Sequence, residues 1–159
     1  MGKIYHGGLL ERVILWKLQW NLVRLADGMN VADSGPMAEK ILVVEDDCIS
    51  LKSLSLYLLM SGYDVEEASD GLQALQKLQR GKFDLVLSDI KMPRFDGYSL
   101  TKHVCATFPT TPIILMTADP PEKPSVVAAE AGAKHMIAKP LVLDELLEKI
   151  TLVLSAKAF

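Results

Sequence analysis

The amino-acid sequence predicts a doubly wound α/β fold, a five-stranded parallel sheet with helices on both faces, and three observations carry that prediction. From residue 40 onward, short apolar runs alternate with segments of helical periodicity, the pattern of repeated βαβ units. Four of the five runs stay apolar through their middles, as strands do when helices cover both faces of a sheet. Their starts fall 20 to 28 residues apart, which fits a compact doubly wound domain.

The first strand is placed at 40–45, KILVVE, and the helix after it shows Leu51, Leu54 and Leu58 on one buried face. The second strand, 64–68, reads DVEEA; its acids assign it to an edge of the sheet. Asp70-Gly71 then reads as a helix start with the aspartate as N-cap, and Leu72, Leu75 and Leu78 mark the face to be buried. The third strand occupies 84–89, DLVLSD, and Asp96-Gly97 opens a third helix with Leu100, Val104 and Phe108 facing inward. After the fourth strand, 112–117 PIILMT, the loop ADPPEKPS holds Pro120, Pro121 and Pro124. Three fixed φ angles stiffen this loop and delay the fourth helix to near Ser125. The small residues of that helix are assigned to packing on the sheet, and Gly132 fits the left-handed position that ends it. The fifth strand is 134–138, KHMIA, and the last helix runs from about Asp144, burying Leu143, Leu146, Leu147, Ile150 and Leu154.

Composition narrows the function. A chain of 159 residues with 50% hydrophobic and 23% charged residues supports one core, and one domain is the default. The net charge of −3 and the absence of any Lys or Arg run argue against a nucleic-acid partner. Cys48 and Cys105 lack CxxC spacing and a nearby histidine pair, so neither a disulfide framework nor a zinc site is indicated, and reduced thiols in a cytoplasmic protein are the simplest reading. Residues 1–36 differ in character: they hold both tryptophans, Trp16 and Trp20, with four basic and three acidic residues, a net charge of +1. LLERVILWKLQWNLVRLA is read as a helical stretch and NVADSGP as a linker. Its four charged residues exclude an ordinary membrane span, and Glu11 and Arg12 interrupt the apolar run that a secretory signal needs. The expected division is therefore an extension or linker over 1–36, with Met37 as the favoured natural start, and the α/β domain over 37–159. A docking helix burying Leu9, Val13, Trp16 and Trp20 against a partner or a second copy of the chain is the alternative use of the extension.

Polar residues converge where such a fold keeps its sites. Parallel strands meet their loops at the carboxyl edge of the sheet, and there the strand ends present Glu45 and Asp46, then Asp89, Thr117 and Lys139. Singly each has an ordinary explanation: an acid capping the next helix, an aspartate opening a turn before Pro93, a strand threonine, a solvated lysine. Jointly they form a complementary set at four strand ends of one edge. Crowding needs a cause, since two carboxylates about 4 Å apart repel by about 4 kcal/mol at an effective dielectric near 20. A bulk-solvated loop, a helix N-terminus or a bound cation relieves it, and Asp47 is assigned to the helix N-terminus.

The pieces ILVVEDD, DLVLSDIKMPRFDG, PIILMTA and AKP resemble the receiver domain of bacterial two-component response regulators, of the stand-alone type, over nearly all of residues 38–157. Their spacing is family-like: 43 residues from Asp46 to Asp89, 28 on to Thr117 and 22 on to Lys139. The resemblance implies a flavodoxin-like receiver fold in which Asp89 accepts a phosphoryl group. Glu45, Asp46, Asp89 and the backbone carbonyl of Lys91 would bind Mg²⁺, while Thr117 and Lys139 would contact the phosphoryl oxygens. It implies a sensor histidine kinase or a histidine phosphotransfer protein as donor, and self-phosphorylation and slow self-hydrolysis as the limit of its own chemistry. The chain ends at Phe159 after the fifth helix, so the signal is expected to pass to a downstream protein by contact. By the same resemblance the Lys139-Pro140 bond is cis.

Two features depart from the family pattern. Met136 stands three residues before Lys139, where relatives carry an aromatic that swings inward on activation, so an aromatic-gated switch is not assumed. Lys91, Ala118 and Asp119 occupy positions that modulate the phosphoryl lifetime in relatives, and Lys91 and Asp119 are expected to pair across the mouth of the site. Two other functions stay open at this point. One is a receiver-like module that binds partners without phosphorylation; the other is an aspartyl-phosphate hydrolase, against which stands Lys91, where that class places a second aspartate.

Overall fold

The computed structural model describes residues 38–156. The readings of residues 1–36 lie outside the described residues. Five strands alternate with five helices: β1 Lys40–Val44, α1 Cys48–Met60, β2 Asp64–Ala68, α2 Gly71–Arg80, β3 Leu85–Asp89, α3 Gly97–Thr107, β4 Ile113–Thr117, α4 Pro124–Ala131, β5 His135–Ala138 and α5 Leu143–Ala156. The sheet is parallel throughout in the order β2-β1-β3-β4-β5, which puts the acid-rich β2 at an edge, as its sequence indicated.

The two-residue period of each strand sorts its side chains onto the two faces. Leu42, Val44, Val86 and Leu115 point to one face, where α2, α3 and α4 cover them with Ala74, Leu78, Leu100, Val104 and Ala128. Ile41, Val43, Leu85, Leu87, Ile114 and Met116 point to the other, under Leu51, Leu54 and Leu58 of α1 and Leu146, Leu147, Ile150 and Val153 of α5. Both faces are therefore apolar, and the three central strands are buried along almost their whole length.

Local chemistry fixes the helix ends. Asp47, Asp70 and Asp96 each accept a hydrogen bond from the backbone N–H three residues on, at 2.8, 2.8 and 2.7 Å, and so cap α1, α2 and α3. Pro124 takes the first turn of α4, one residue ahead of the expected start, where its missing N–H costs nothing. Gly132 ends α4 at φ 90°, a left-handed position that glycine adopts without strain.

Four buried-face assignments need correction. Leu72 is exposed, because α2 starts at Gly71 and its inward positions are 71, 74, 75 and 78. Leu143 is exposed as the first residue of α5, and Val153 takes the buried place given to Leu154, which is half-buried. Phe108 is half-buried too, capping α3 instead of lying within it. The strands start or stop one residue inside the expected limits at four of five positions.

One close approach joins the fold to the site. A Cβ on Gly97 would lie 2.3 Å from the Asp89 carbonyl oxygen and 2.8 Å from Ile90 Cα, so the start of α3 presses on the end of β3 with room only for glycine. A Cβ on Gly81 would meet its nearest atom at 3.7 Å. Gly97→Ala should therefore lose about 2 kcal/mol of stability through overpacking. Gly81→Ala should stay within about 0.5 kcal/mol of the parent. Chemical denaturation of both variants checks the contrast, and equal losses would contradict it.

Candidate functional site

The carboxyl edge of the sheet gathers the predicted residues. Glu45 follows β1 and is 2% exposed, its N–H donating to the Ala68 carbonyl at 3.1 Å. Beside it Asp46 is exposed, and Asp47 turns away to cap α1. Asp89 ends β3 at 7% exposure, and one of its carboxylate oxygens accepts from the Ile90 N–H at 2.9 Å. Thr117 ends β4, buried, with its hydroxyl accepting from the Asp119 N–H at 3.1 Å. Beyond β5, the Lys139 N–H donates to the Thr117 carbonyl at 2.7 Å, and the Lys139-Pro140 bond is cis.

Glu45, Asp46 and Asp89 each offer a carboxylate oxygen, and these atoms lie within 4.8 Å of one another. Lys139 faces them. Its Nζ lies 2.5 Å from Glu45 Oε2 and 3.3 Å from Asp89 Oδ1. Burial pushes the Glu45 carboxyl above its usual value, and the neighbouring Asp89 adds repulsion, while Lys139 pulls the other way. Burial alone would lower the Lys139 ammonium, but its contacts to Glu45 and Asp89 outweigh that and raise it. Both directions describe one situation: a buried acid made tolerable by one ammonium.

Three carboxylates and one ammonium leave two negative charges, which a divalent cation matches. Oxygen-only donors suit Mg²⁺. The three carboxylate oxygens lie on one side of the site within 4.8 Å of one another, a donor set of the kind such an ion takes, with its remaining positions left to water. The residues present therefore fit the group that the sequence resemblance implies.

The remaining predicted residues surround this centre. Lys91 Nζ and Asp119 Oδ2 stand 3.4 Å apart across the mouth, both largely exposed, and Ala118 beside them is exposed. Met136 is buried in the same core cluster as Leu115, Ala128 and Ala133, a flexible apolar side chain against the sheet. The direct Lys139–Glu45 contact was not anticipated. No local pattern signals a contact between residues 94 apart, although a lysine and a buried acid on one edge are a complementary pair. Next to the centre, Glu45, Tyr57, Lys139, Leu141 and Leu143 help line a groove of about 310 Å³ between α1 and the start of α5.

The family model described as the response regulator receiver domain matches residues 41–151. The response regulator MprA of Mycobacterium leprae (strain TN) is 37% identical over 111 residues, 70% of this chain and 49% of the relative. The chain thus spans about half the length of the curated relatives it matches. Among solved structures, the CheY-like response regulator receiver domain protein from Methanospirillum hungatei JF-1 aligns with a TM-score of 0.71 at 34% identity, over 76% of this chain and 97% of that one. The BeF3-activated receiver domain of DrrB aligns with a TM-score of 0.67 at 29% identity, over 75% and 99%. Among the described residues no helix is long and apolar enough to cross a membrane.

If Lys139 neutralises this edge, Lys139→Met should cost about 2 kcal/mol without divalent cations, because it strands a buried charge. It should also tighten Mg²⁺ binding by removing a competing cation. The Lys139 contribution is present through neutral pH and is lost only as pH rises through the raised lysine value. Thermal unfolding across pH, with and without Mg²⁺, reads all three effects. Unchanged stability and unchanged Mg²⁺ affinity would contradict the assignment.

Proposed function

The chain belongs to the response regulator receiver family, and from that premise we propose that Asp89 accepts a phosphoryl group from a phosphohistidine on a sensor histidine kinase or histidine phosphotransfer protein, in a Mg²⁺-dependent step. The observation that carries this reading is the closure of three carboxylates from two strand ends within 4.8 Å, with Lys139 against them.

In the transfer an Asp89 carboxylate oxygen forms a bond to phosphorus, the phosphorus–nitrogen bond breaks, and the leaving imidazole keeps the electron pair and takes up a proton. Glu45, Asp46, Asp89 and the Lys91 backbone carbonyl are the residues that would hold Mg²⁺, which when bound supplies charge neutralisation between anionic acceptor and anionic phosphoryl group. The Ile90 N–H, 2.9 Å from Asp89 Oδ1, orients the acceptor so that its other oxygen is the one left to attack. Lys139 stands close enough to exchange its carboxylate contacts for a phosphoryl oxygen, a charge-assisted interaction. Thr117 adds a neutral hydroxyl from the next strand end. Activation of the DrrB receiver by BeF3 supports a reading in which a small anionic group on this edge switches the domain.

The donor needs a surface, and α1 offers one. Ile49, Leu56 and Met60 are 78%, 59% and 64% exposed on its outer side, next to the groove that runs up to Glu45 and Lys139. An apolar helical partner seated there would bring its histidine to the open edge. Lys91 and Asp119, paired over the mouth, would then govern how easily water reaches the acyl phosphate, and Met136 would transmit the change in place of an aromatic.

Intact mass after incubation with Mg²⁺ and acetyl phosphate, beside an Asp89→Ala control, tests the proposal. One phosphoryl group is expected, dependent on Asp89 and Mg²⁺ and lost in alkali. In the same assay Lys91→Ala and Asp119→Ala should each change the half-life by no more than about fivefold, the range of an exposed ion pair, and should not be additive. No adduct on a protein shown to bind Mg²⁺, with rapid hydrolysis ruled out, would favour partner binding without phosphorylation.

A further inference from the structure

The structure assigns Arg94 and Asp70 a positioning role: their ion pair clasps the loop after β3 to the start of α2 and so sets the part of that loop that faces the acceptor site. The inference rests on the proposed Mg²⁺ site, because the Lys91 carbonyl lies in this loop.

The loop over residues 90–96 buries Ile90 and Met92 in the core and is surface-exposed at Lys91, Pro93 and Arg94; the backbone hydrogen bonds that close it are Phe95 N–H to the Pro93 carbonyl at 2.7 Å and Gly97 N–H to the Ile90 carbonyl at 2.9 Å. Arg94 is nevertheless held at φ 67°, the one positive φ of a non-glycine residue among the described residues. Asparagine and aspartate tolerate that conformation through local hydrogen bonds of a short polar side chain, which arginine does not have. Something outside the loop must hold it there.

Two contacts do so, both on the start of α2. Arg94 Nη2 donates to Asp70 Oδ2 at 2.9 Å. Asp70 is itself fixed, since its other oxygen caps the Gln73 N–H at 2.8 Å, and the Gln73 side chain in turn accepts from the N–H of Ser69, the residue before the cap, at 2.7 Å. Next to it Phe95 lies directly over Gly71, where a Cβ would come within 2.5 Å of the ring and 2.6 Å of the Phe95 carbonyl. The loop is thus pinned at 94–95 to α2, and its far end at Gly97 presses on the backbone of Asp89; Lys91 lies in the span from Asp89 to Arg94, exposed between the buried Ile90 and Met92. An exposed ion pair adds little to global stability. Anchored on a rigid cap and acting on a strained residue, this one acts on loop geometry.

The test uses the full chain with Arg94→Gly, which removes the pair while relieving the backbone, and Asp70→Asn, which keeps the capping oxygen but drops the charge. Arg94→Lys serves as the conservative variant. Calorimetry reads Mg²⁺ affinity, and amide hydrogen exchange of the metal-free protein reads residues 90–96 against β1 and β4. Each of the first two changes should weaken Mg²⁺ by roughly tenfold, as loss of an outer support does at metal sites. The double variant should be no worse than the weaker single, exchange should quicken in the loop alone, the melting temperature should hardly move, and Arg94→Lys should recover most of the loss. Parental Mg²⁺ affinity together with parental loop exchange in Arg94→Gly would overturn the inference. A parent that binds no Mg²⁺ would sink the metal reading instead, and loop exchange in the metal-free variants would still decide whether the clasp exists.

Discussion

The carboxyl edge depends on one electrostatic constraint: Glu45, 2% exposed, must keep company with a positive charge. In the protein alone that charge is the Lys139 ammonium, 2.5 Å away and 94 residues further along the chain. The pair forms only when β1 and β5, separated in the sheet by β3 and β4, end on the same edge. Parallel pairing throughout makes that outcome automatic, because each strand after a crossover helix runs in the direction of the one before. The same constraint explains Asp89, which shares Lys139 at 3.3 Å and repels Glu45. A fold chosen for stability alone would replace such a set with apolar residues. A charged set at the edge of a largely apolar interior is the physical argument for a site.

Rigidity at this edge comes from beneath it. Central strands buried on both faces leave the ends of β1, β3 and β4 little freedom, and Gly97 seats α3 against the Asp89 carbonyl. The parts free to respond are the loops. The Lys91–Asp119 pair and the apolar outer side of α1 lie on that more open rim. A domain built this way keeps Asp89 and the other acids in fixed register while leaving the loops around them exposed.

Much of this was legible in the sequence because its causes are local. Aspartates before α1, α2 and α3 act within three residues, continuous apolar runs locate strands, and helical spacing of leucines locates most inward faces. Leu72 and Leu143 were misread since each stands in the first turn of its helix, where the spacing of later leucines does not yet decide which side is inward. The Lys139–Glu45 contact and the Arg94–Asp70 clasp were invisible for another reason. Each joins segments whose proximity exists only after the sheet has formed, and an arginine in a loop carries no sign of the φ it will adopt. The order of site residues along the chain resembled a known pattern; the partners each would keep in the metal-free state did not follow from that order.

On the proposed reading the acids are crowded for a divalent cation, and their repulsion costs stability when none is bound. Thermal unfolding of Asp46→Asn against the parent, in chelator and in saturating Mg²⁺, tests it most directly. Removing one exposed charge from the cluster should raise the metal-free melting temperature by a few degrees, in keeping with about 0.5 to 1 kcal/mol of relieved repulsion. The same change should abolish most of the stabilisation that Mg²⁺ gives the parent. A variant that is no more stable without metal and responds fully to Mg²⁺ would contradict the account, because Asp46 would then be neither crowded nor a ligand.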